Sequence, residues 1–391
     1  MTNGELLVVA GEASGDLHAS DVLRELRRRV PGLHAFGMGG ERLAGVGLER
    51  LFDAREISVM GFAEVWPRLP RIWRVYRALV EAARTRRPAA ALLVDVPDFN
   101  LRLARKLKGL GIPVIFYVSP TVWAWRRGRI KQIARDVERM LCILPFEEEF
   151  YRAHGVRARY VGSPVAEQVP APAEPEVFRR ALGLDPARPT LAVLPGSRES
   201  ELNRLLPPLV ESAALLARER PRLQIVVPVA PGMRGERIAE AFSTRGLQPA
   251  LVAGRAPEVV GASDAAIVAS GTATLEAGLM LRPMVVVYRM SSFSWWMGKL
   301  LVKVAFVSLV NLLTGRRVVP ELLQGALQPS AVADEVRRIW EPGEARQAQL
   351  EGLRELRTRV GHHDTAARVA DEVLEVMEAR AKEAPAAATA P

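Results

Sequence analysis

Short apolar runs alternate with helix-period stretches twice along this chain, and that alternation restricts the fold more than any other feature. Residues 5–10 (ELLVVA), 33–38 (LHAFGM), 89–94 (AAALLV), 113–118 (PVIFYV), 140–145 and 158–161 read as strands. Between them Leu17, Val22, Leu23 and Leu26 recur at helical spacing, and further helices are expected at about 70–86 and 101–111. A stretch rich in Pro, Ala and acidic residues, 164–176 (PVAEQVPAPAEPE), reads as a linker. The alternation then restarts: TLAVLP, a helix at 200–219, LQIVVPVA, a helix at 234–245, PALVA, AAIVAS, a helix at 272–280 and PMVVVYRM. Strands that are apolar throughout and joined by helices make parallel sheets covered on both faces. The expectation is α/β: two Rossmann-like parallel-sheet domains facing a cleft, over 1–165 and 166–345. Helices over 346–382 are expected to pack back on the first domain, with 383–391 a disordered tail.

At 391 residues the chain is too long for one ordinary core and comfortable for two. Its net charge of +10, carried mostly by Arg, favours an anionic partner: nucleic acid, an acidic lipid surface or a phosphorylated substrate. A genome-wide bias toward Arg is the bland alternative. The single cysteine, Cys142, lies in an apolar run and reads as a buried thiol in a reducing compartment. The opening residues lack the basic start of a signal peptide, and no apolar run is long enough to span a bilayer. These features suggest a cytoplasmic protein that can still touch a membrane surface.

In open α/β sheets, ligands sit beyond the carboxyl ends of the strands, and the polar motifs fall there. Two loops look built for an anion. In 195–199 (PGSRE), Gly196, Ser197 and Arg198 stand at a helix start; in 269–276 (ASGTATLE), Ser270, Gly271 and Thr272 do, with Glu276 one turn on. A helix start offers unpaired N–H groups and a positive dipole end, so two of them suggest a diphosphate, with Glu276 placed for a ribose. Each loop alone could be an ordinary capped turn. Neither matches the P-loop or the G-x-G-x-x-G fingerprint, which disfavours an ATPase or a standard dinucleotide enzyme. GEASGDLH (11–18) clusters Glu12, Asp16 and His18, and DVPDFN (95–100) sets Asp95 and Asp98 at a strand end, with Asn100 able to orient one of them. Carboxylates there suit hydroxyl binding or acid–base work, or simply cap their helices. The five histidines are scattered or adjacent, as in His362-His363, so no metal site is expected.

Two segments mix aromatics with positive charge. SPTVWAWRRGRIKQI (119–133) interleaves Trp123 and Trp125 with Arg126, Arg127, Arg129 and Lys131. That mixture serves nucleic acid, a sugar-phosphate pocket or a plain two-faced helix. Over 66–87, which opens on Trp66, residues Leu69, Ile72, Trp73, Tyr76, Leu79 and Val80 share one face while Arg71, Arg74, Arg77 and Arg84 occupy the rest. A basic amphipathic helix with Trp and Tyr reads as a membrane-surface or acyl-chain element, or docks on its own core. The apolar stretch 293–313 repeats the mixture.

With these residues in view, the chain resembles the lipid-A-disaccharide synthases, a family of bacterial glycosyltransferases. GEASGD, FGMGG, MGFAEV, DVPDFN, YVSPTVWAWR, LPFEEEFY, YVGSP, LPGSRESE, ASGTATLE and PMVVVYRM look like that family's blocks, in its order, over about residues 7–325. Val310 departs from the family's usual Pro. The resemblance implies a two-domain GT-B glycosyltransferase with no metal and no cofactor. Its donor would be UDP-2,3-diacylglucosamine and its acceptor 2,3-diacylglucosamine 1-phosphate. UDP would leave as the β(1→6)-linked disaccharide forms at the cytoplasmic face of the inner membrane. Asp98 matches the family's candidate base, with Glu12 and Asp16 as weaker candidates; Asn311 and Gln324 would join the UDP site. Trp66, Leu69, Ile72, Trp73, Tyr76, Trp123, Trp125 and Arg126 would meet the acceptor or the anionic membrane surface. A homodimer through the C-terminal helices stays open. So do a UDP-sugar epimerase or a peptidoglycan-precursor transferase of the same fold, and, on charge alone, a nucleic-acid-binding protein.

Overall fold

The computed structural model describes residues 4–57, 62–291, 295 and 305–383, with the backbone alone for 62–68 and 383. The chain forms two compact units, one built from the residues up to Pro164 together with those from His363 onward, the other from Val165–His362.

The first unit runs β1 (Glu5–Ala10), α1 (Ala13–Arg29), β2 (His34–Gly39), α2 (Glu41–Gly45), β3 (Glu49–Asp53), α3 (Phe62–Arg86), β4 (Ala90–Val94), α4 (Pro97–Gly109), β5 (Val114–Tyr117), α5 (Ile130–Asp136), β6 (Arg139–Cys142), α6 (Pro145–Arg152) and β7 (Ala158–Tyr160). Its seven strands are parallel, in the order β3-β2-β1-β4-β5-β6-β7. Because strand side chains alternate faces, Leu7 and Val9 enter one core with Phe36, Leu93 and Phe116, beneath Val75, Leu79 and Ala83 of α3 and Leu103 and Leu107 of α4. Leu6 and Val8 enter the other, with Leu92 and Ile115, beneath Val22, Leu23 and Leu26 of α1.

The second unit contains α7 (Pro164–Gln168) from its second residue on, α8 (Pro175–Ala181), β8 (Thr190–Leu194), α9 (Glu199–Glu219), β9 (Gln224–Val229), α10 (Gly235–Ser243), β10 (Ala250–Ala253), α11 (Ala256–Gly261), β11 (Ala265–Ala269), α12 (Thr272–Leu279), β12 (Met284–Tyr288), α13 (Leu309–Thr314), β13 (Glu321–Leu323), α14 (Pro329–Trp340) and α15 (Glu344–Val360). Its parallel sheet has the order β10-β9-β8-β11-β12-β13. The order reverses between the neighbours β8 and β11. Loops leaving two such strands open side by side, and that switch point is where open α/β sheets bind ligands.

The C-terminal helices part company. α15 stays in the second unit: Gln349 accepts from Met284 N at 2.7 Å and donates to Met284 O at 3.1 Å, clamping β12. Only α16 (Thr365–Glu383) packs on the first unit, through Val369, Val373 and Met377. Glu372 pins it there, 3.1 Å from Arg159 and 3.2 Å from Arg139. The expected break at 345/346 therefore moves to the turn between α15 and α16.

Candidate active site

A pocket of about 710 Å³ opens at the carboxyl end of the second sheet. Both anion loops line it: Gly196, Ser197 and Arg198 after β8, and Ser270, Gly271, Thr272 and Glu276 after β11. Its size lies in the usual range for small-ligand sites.

The two loops differ in what already occupies them. Gly271, with φ +151°, leads into α12, and no side chain caps that helix. A Cβ at Gly271 would meet nothing within 4 Å, so the space over the helix start is open. Ser270 donates its hydroxyl to Val307 O at 3.1 Å, which fixes the loop from behind. The other loop is held by its own chain. Ser197 N donates to Glu201 Oε2 at 3.0 Å, and Arg198 lies 3.5 Å from Glu201 Oε1. Gly196, at φ +107°, permits this: a Cβ there would collide with the Glu201 side chain. Glu276 lines the wall; burial, and then the neighbouring Glu258, raise its carboxyl above the ordinary range.

Asn311 and Gln324 do not reach the pocket. Asn311 is fully buried. Its Nδ2 donates to Val319 O and Glu321 Oε1, both at 2.9 Å, and its Oδ1 accepts from Val318 N at 2.7 Å and Val319 N at 2.9 Å. With both ends of the amide committed, it organises the turn before β13. Gln324 pairs its amide with the backbone of Met290, at 3.2 and 3.1 Å. Val310, at the position of the family's Pro, is buried against Gly278.

In the first unit, β4 ends in a strained corner. Asp95 and Val96 are consecutive left-handed residues, at φ +53° and +43°. Each such non-glycine residue costs about 1–3 kcal/mol and persists only where its surroundings impose it. Pro97 disfavours the helical region at Val96, and Asn100 donates to Val94 O at 3.1 Å and Asp95 O at 2.8 Å. Asn100 thus orders backbone, not a carboxylate. The corner lifts Asp98 onto the first turn of α4 with its side chain 67% exposed. Arg126 reaches Asp98 Oδ1 at 3.1 Å, and Arg129 bonds to the same oxygen. Burial raises the Asp95 carboxyl.

Asp16 is a structural cap. It is buried and accepts from Gly40 N at 2.6 Å, Arg42 N at 3.1 Å and Leu43 N at 3.2 Å, closing the start of α2. These three bonds commit the carboxylate to the α2 backbone. Glu12 stands exposed at the N-cap of α1, and burial lowers the His18 imidazole.

The loop after β5 carries Trp123, Trp125 and Arg126, and a buried carboxylate from α6 holds it. Glu147 accepts from Ser119 Oγ at 2.6 Å, Trp123 Nε1 at 2.9 Å and Leu144 N at 3.2 Å. Burial outweighs these donors and pushes the Glu147 carboxyl up to about 7. Trp123 therefore faces inward, whereas Trp125 is exposed with the Arg126 guanidinium 4.3 Å over its ring.

The basic helix divides its apolar face. Val75 and Leu79 are buried, and Ile72, Tyr76 and Val80 pack half-buried against the core. Leu69 and Trp73 remain 42% and 59% exposed, among the exposed Arg71, Arg74 and Arg77. Trp73 stacks on Tyr76 with centroids 5.2 Å apart. The Trp66 side chain and most of 293–313 lie outside the described residues. Among the described residues, no helix is long and apolar enough to cross a membrane, and no cluster of three or more His, Cys, Asp or Glu is placed to hold a metal ion.

Sequence reasoning passes over several pocket residues. The end of β9 with the turn after it, 228–231 (PVAP), and the turn into α11, 254–257 (GRAP), complete the wall with Tyr288 and Glu258. Their signal is a Pro- or Gly-bearing turn directly after a strand, as at 195–199 and 269–276. Glu201 and Glu147 sit within helix-forming runs of charge and carry no such mark.

A family model described as lipid-A-disaccharide synthetase matches residues 6–372. Over 378 residues the chain is 62% identical to the lipid-A-disaccharide synthase of Myxococcus xanthus (strain DK1622), covering 96% of this chain and 99% of that one. Its structure is similar to UDP-GlcNAc 2-epimerase from Neisseria meningitidis bound to UDP-GlcNAc, with TM-score 0.62 at 10% identity over 95% of this chain and 100% of that one. It is also similar to CalG4, the calicheamicin glycosyltransferase, with TM-score 0.60 at 15% identity over 97% and 99%. At such identities these two structures speak to the fold alone.

Proposed function

The chain belongs to the lipid-A-disaccharide synthase family, and from that premise we propose how its two units divide the reaction. The enzyme is an inverting glycosyltransferase. It moves 2,3-diacylglucosamine from UDP to 2,3-diacylglucosamine 1-phosphate, giving the β(1→6)-linked disaccharide 1-phosphate and UDP. The sequence identity favours transfer over epimerisation or nucleic-acid binding.

The second unit holds the donor. The observation that carries this is the pair of loops at the β8/β11 switch point opening onto one pocket, with the start of α12 uncapped. The α12 N–H groups and Arg198 receive the diphosphate, and Glu276 receives the ribose hydroxyls. As the bond from the sugar C1 to the diphosphate oxygen breaks, UDP keeps the electron pair. Donors fixed in advance around that oxygen lower the barrier without reorganising.

The first unit holds the acceptor, whose primary hydroxyl attacks C1 and gives its proton to Asp98. Arg126 and Arg129 both take Asp98 Oδ1, which leaves Oδ2 for the proton. Exposed Trp125, Leu69 and Trp73, with the arginines of α3, meet acyl chains and the anionic surface of the inner membrane, from the cytoplasmic side. Exchange of α16 between two copies would give a homodimer. The test is UDP release from purified protein given the diacylated donor and acceptor; turnover of non-acylated UDP-sugars alone would sink the reading.

A further inference from the structure

The two anion loops are not in the same state, and the difference singles out Glu201. Over α12 the helix start is open. At the loop after β8, a carboxylate of the same chain stands in for an anion, accepting from Ser197 N at 3.0 Å and lying 3.5 Å from Arg198. Arg198 is otherwise 78% exposed, whereas Glu201 is held in at 16%. Gly196 is the residue that lets this carboxylate lie against the loop. Resting on the reading of 195–198 as part of the diphosphate site, we infer that Glu201 is a resident competitor for that site, displaced when UDP binds and restored when it leaves.

The physical reason is charge. A diphosphate taking Ser197 N and Arg198 must either replace the Glu201 carboxylate or lie within a few ångströms of it. Either way its affinity falls, because like charges at that distance repel strongly in a half-buried pocket. Such a competitor limits how tightly the product UDP is held while keeping Ser197 N and Arg198 satisfied between turnovers. An acceptor needed only to order the loop would work as well without charge; a competitor would not.

The test is calorimetric titration of UDP into the full-length wild type, Glu201→Gln and Glu201→Ala, with melting curves to confirm folding. Gln keeps an oxygen for Ser197 N and removes the charge; Ala removes both. The expected result is a UDP Kd lowered about tenfold in Glu201→Gln, a lowered Kd in Glu201→Ala, and stronger product inhibition by UDP in both. A Kd unchanged or raised in folded Glu201→Gln overturns the inference. If the wild type itself binds no UDP, the donor-site reading fails first; if it binds and neither variant tightens, only the role of Glu201 fails.

Discussion

Arg126 Nη1 lies 3.1 Å from Asp98 Oδ1, and Arg129 bonds to that same oxygen. One end of the carboxylate is thereby fixed by two guanidinium groups, and in the proposed mechanism the other end takes the substrate proton. Substituting Arg126 should misplace the base without removing it. Arg126→Ala is expected to lower kcat about 10–100-fold, since small displacements of a reacting group cost that much. UDP affinity should not change. Arg126→Lys should recover part of kcat. Wild-type kcat in Arg126→Ala would show that the pairing does not position Asp98.

The open helix start of α12 predicts how the donor loops respond. Gly271 sits at φ +151°, so Gly271→Ala strains the turn even though space is free. Arg198→Ala should raise the UDP Kd about tenfold, the scale of one charge-assisted hydrogen bond. Gly271→Ala should raise it as well. Titration calorimetry measures both, and unchanged Kd values would move the diphosphate elsewhere.

Asp16 offers a contrast. Three backbone N–H groups lose their acceptor in Asp16→Ala. The expected cost is about 1–3 kcal/mol of stability, with kcat per folded molecule near wild type. A stable Asp16→Ala protein with lost turnover would return Asp16 to the active site.

Glu147 predicts a pH dependence. Its folded carboxyl is pushed up to about 7, against an ordinary value of 4.5. In that window the folded state holds a proton that the unfolded state has released. Stability from this group is therefore full below pH ~4.5 and lost as pH rises through ~7. The loss amounts to about 3 kcal/mol at most. Glu147→Gln cannot titrate and gives up one of three hydrogen bonds, so its curve should be offset but flatter. Melting temperatures from pH 5 to 8 check this; parallel curves for the two proteins contradict it.

Leu69 and Trp73 project from α3 among arginines, as a membrane contact would. Replacing both by Ser should weaken binding to vesicles containing anionic lipid by about tenfold or more, given the apolar area withdrawn. UDP affinity should stay the same. Undiminished vesicle binding in a sedimentation assay would assign the membrane contact to another surface.

Much of this was legible in the sequence because it depends on local pattern. The buried strands are continuous apolar runs, and the turns after β8, β11 and β4 carry Gly, Ser, Pro and Asp at the carboxyl ends of those strands. What is not legible depends on which partners each side chain meets once the chain has folded. β3 (ERLFD) is an edge strand whose charged, partly exposed residues lack a strand's alternation. In sequence Asp16 and Asn311 both read as site residues; in the structure Asp16 caps the backbone at 40, 42 and 43, and the Asn311 amide is engaged with 318, 319 and 321. Glu201 and Glu147 are inconspicuous in charged helical runs: Glu201 turns back across its own helix start onto Ser197 N, four residues away, and the fold brings Glu147 against Trp123.

The central claim is that UDP is held by the second unit while Asp98 of the first takes the proton. The direct measurement pairs UDP titration with turnover in Asp98→Asn, which removes the base at nearly constant shape. The account predicts a UDP Kd within about twofold of wild type and kcat lowered about 10²–10⁴-fold, the usual worth of general base catalysis. Turnover at the wild-type rate would place the base on another residue, and loss of UDP binding would show that the two roles are not divided in this way.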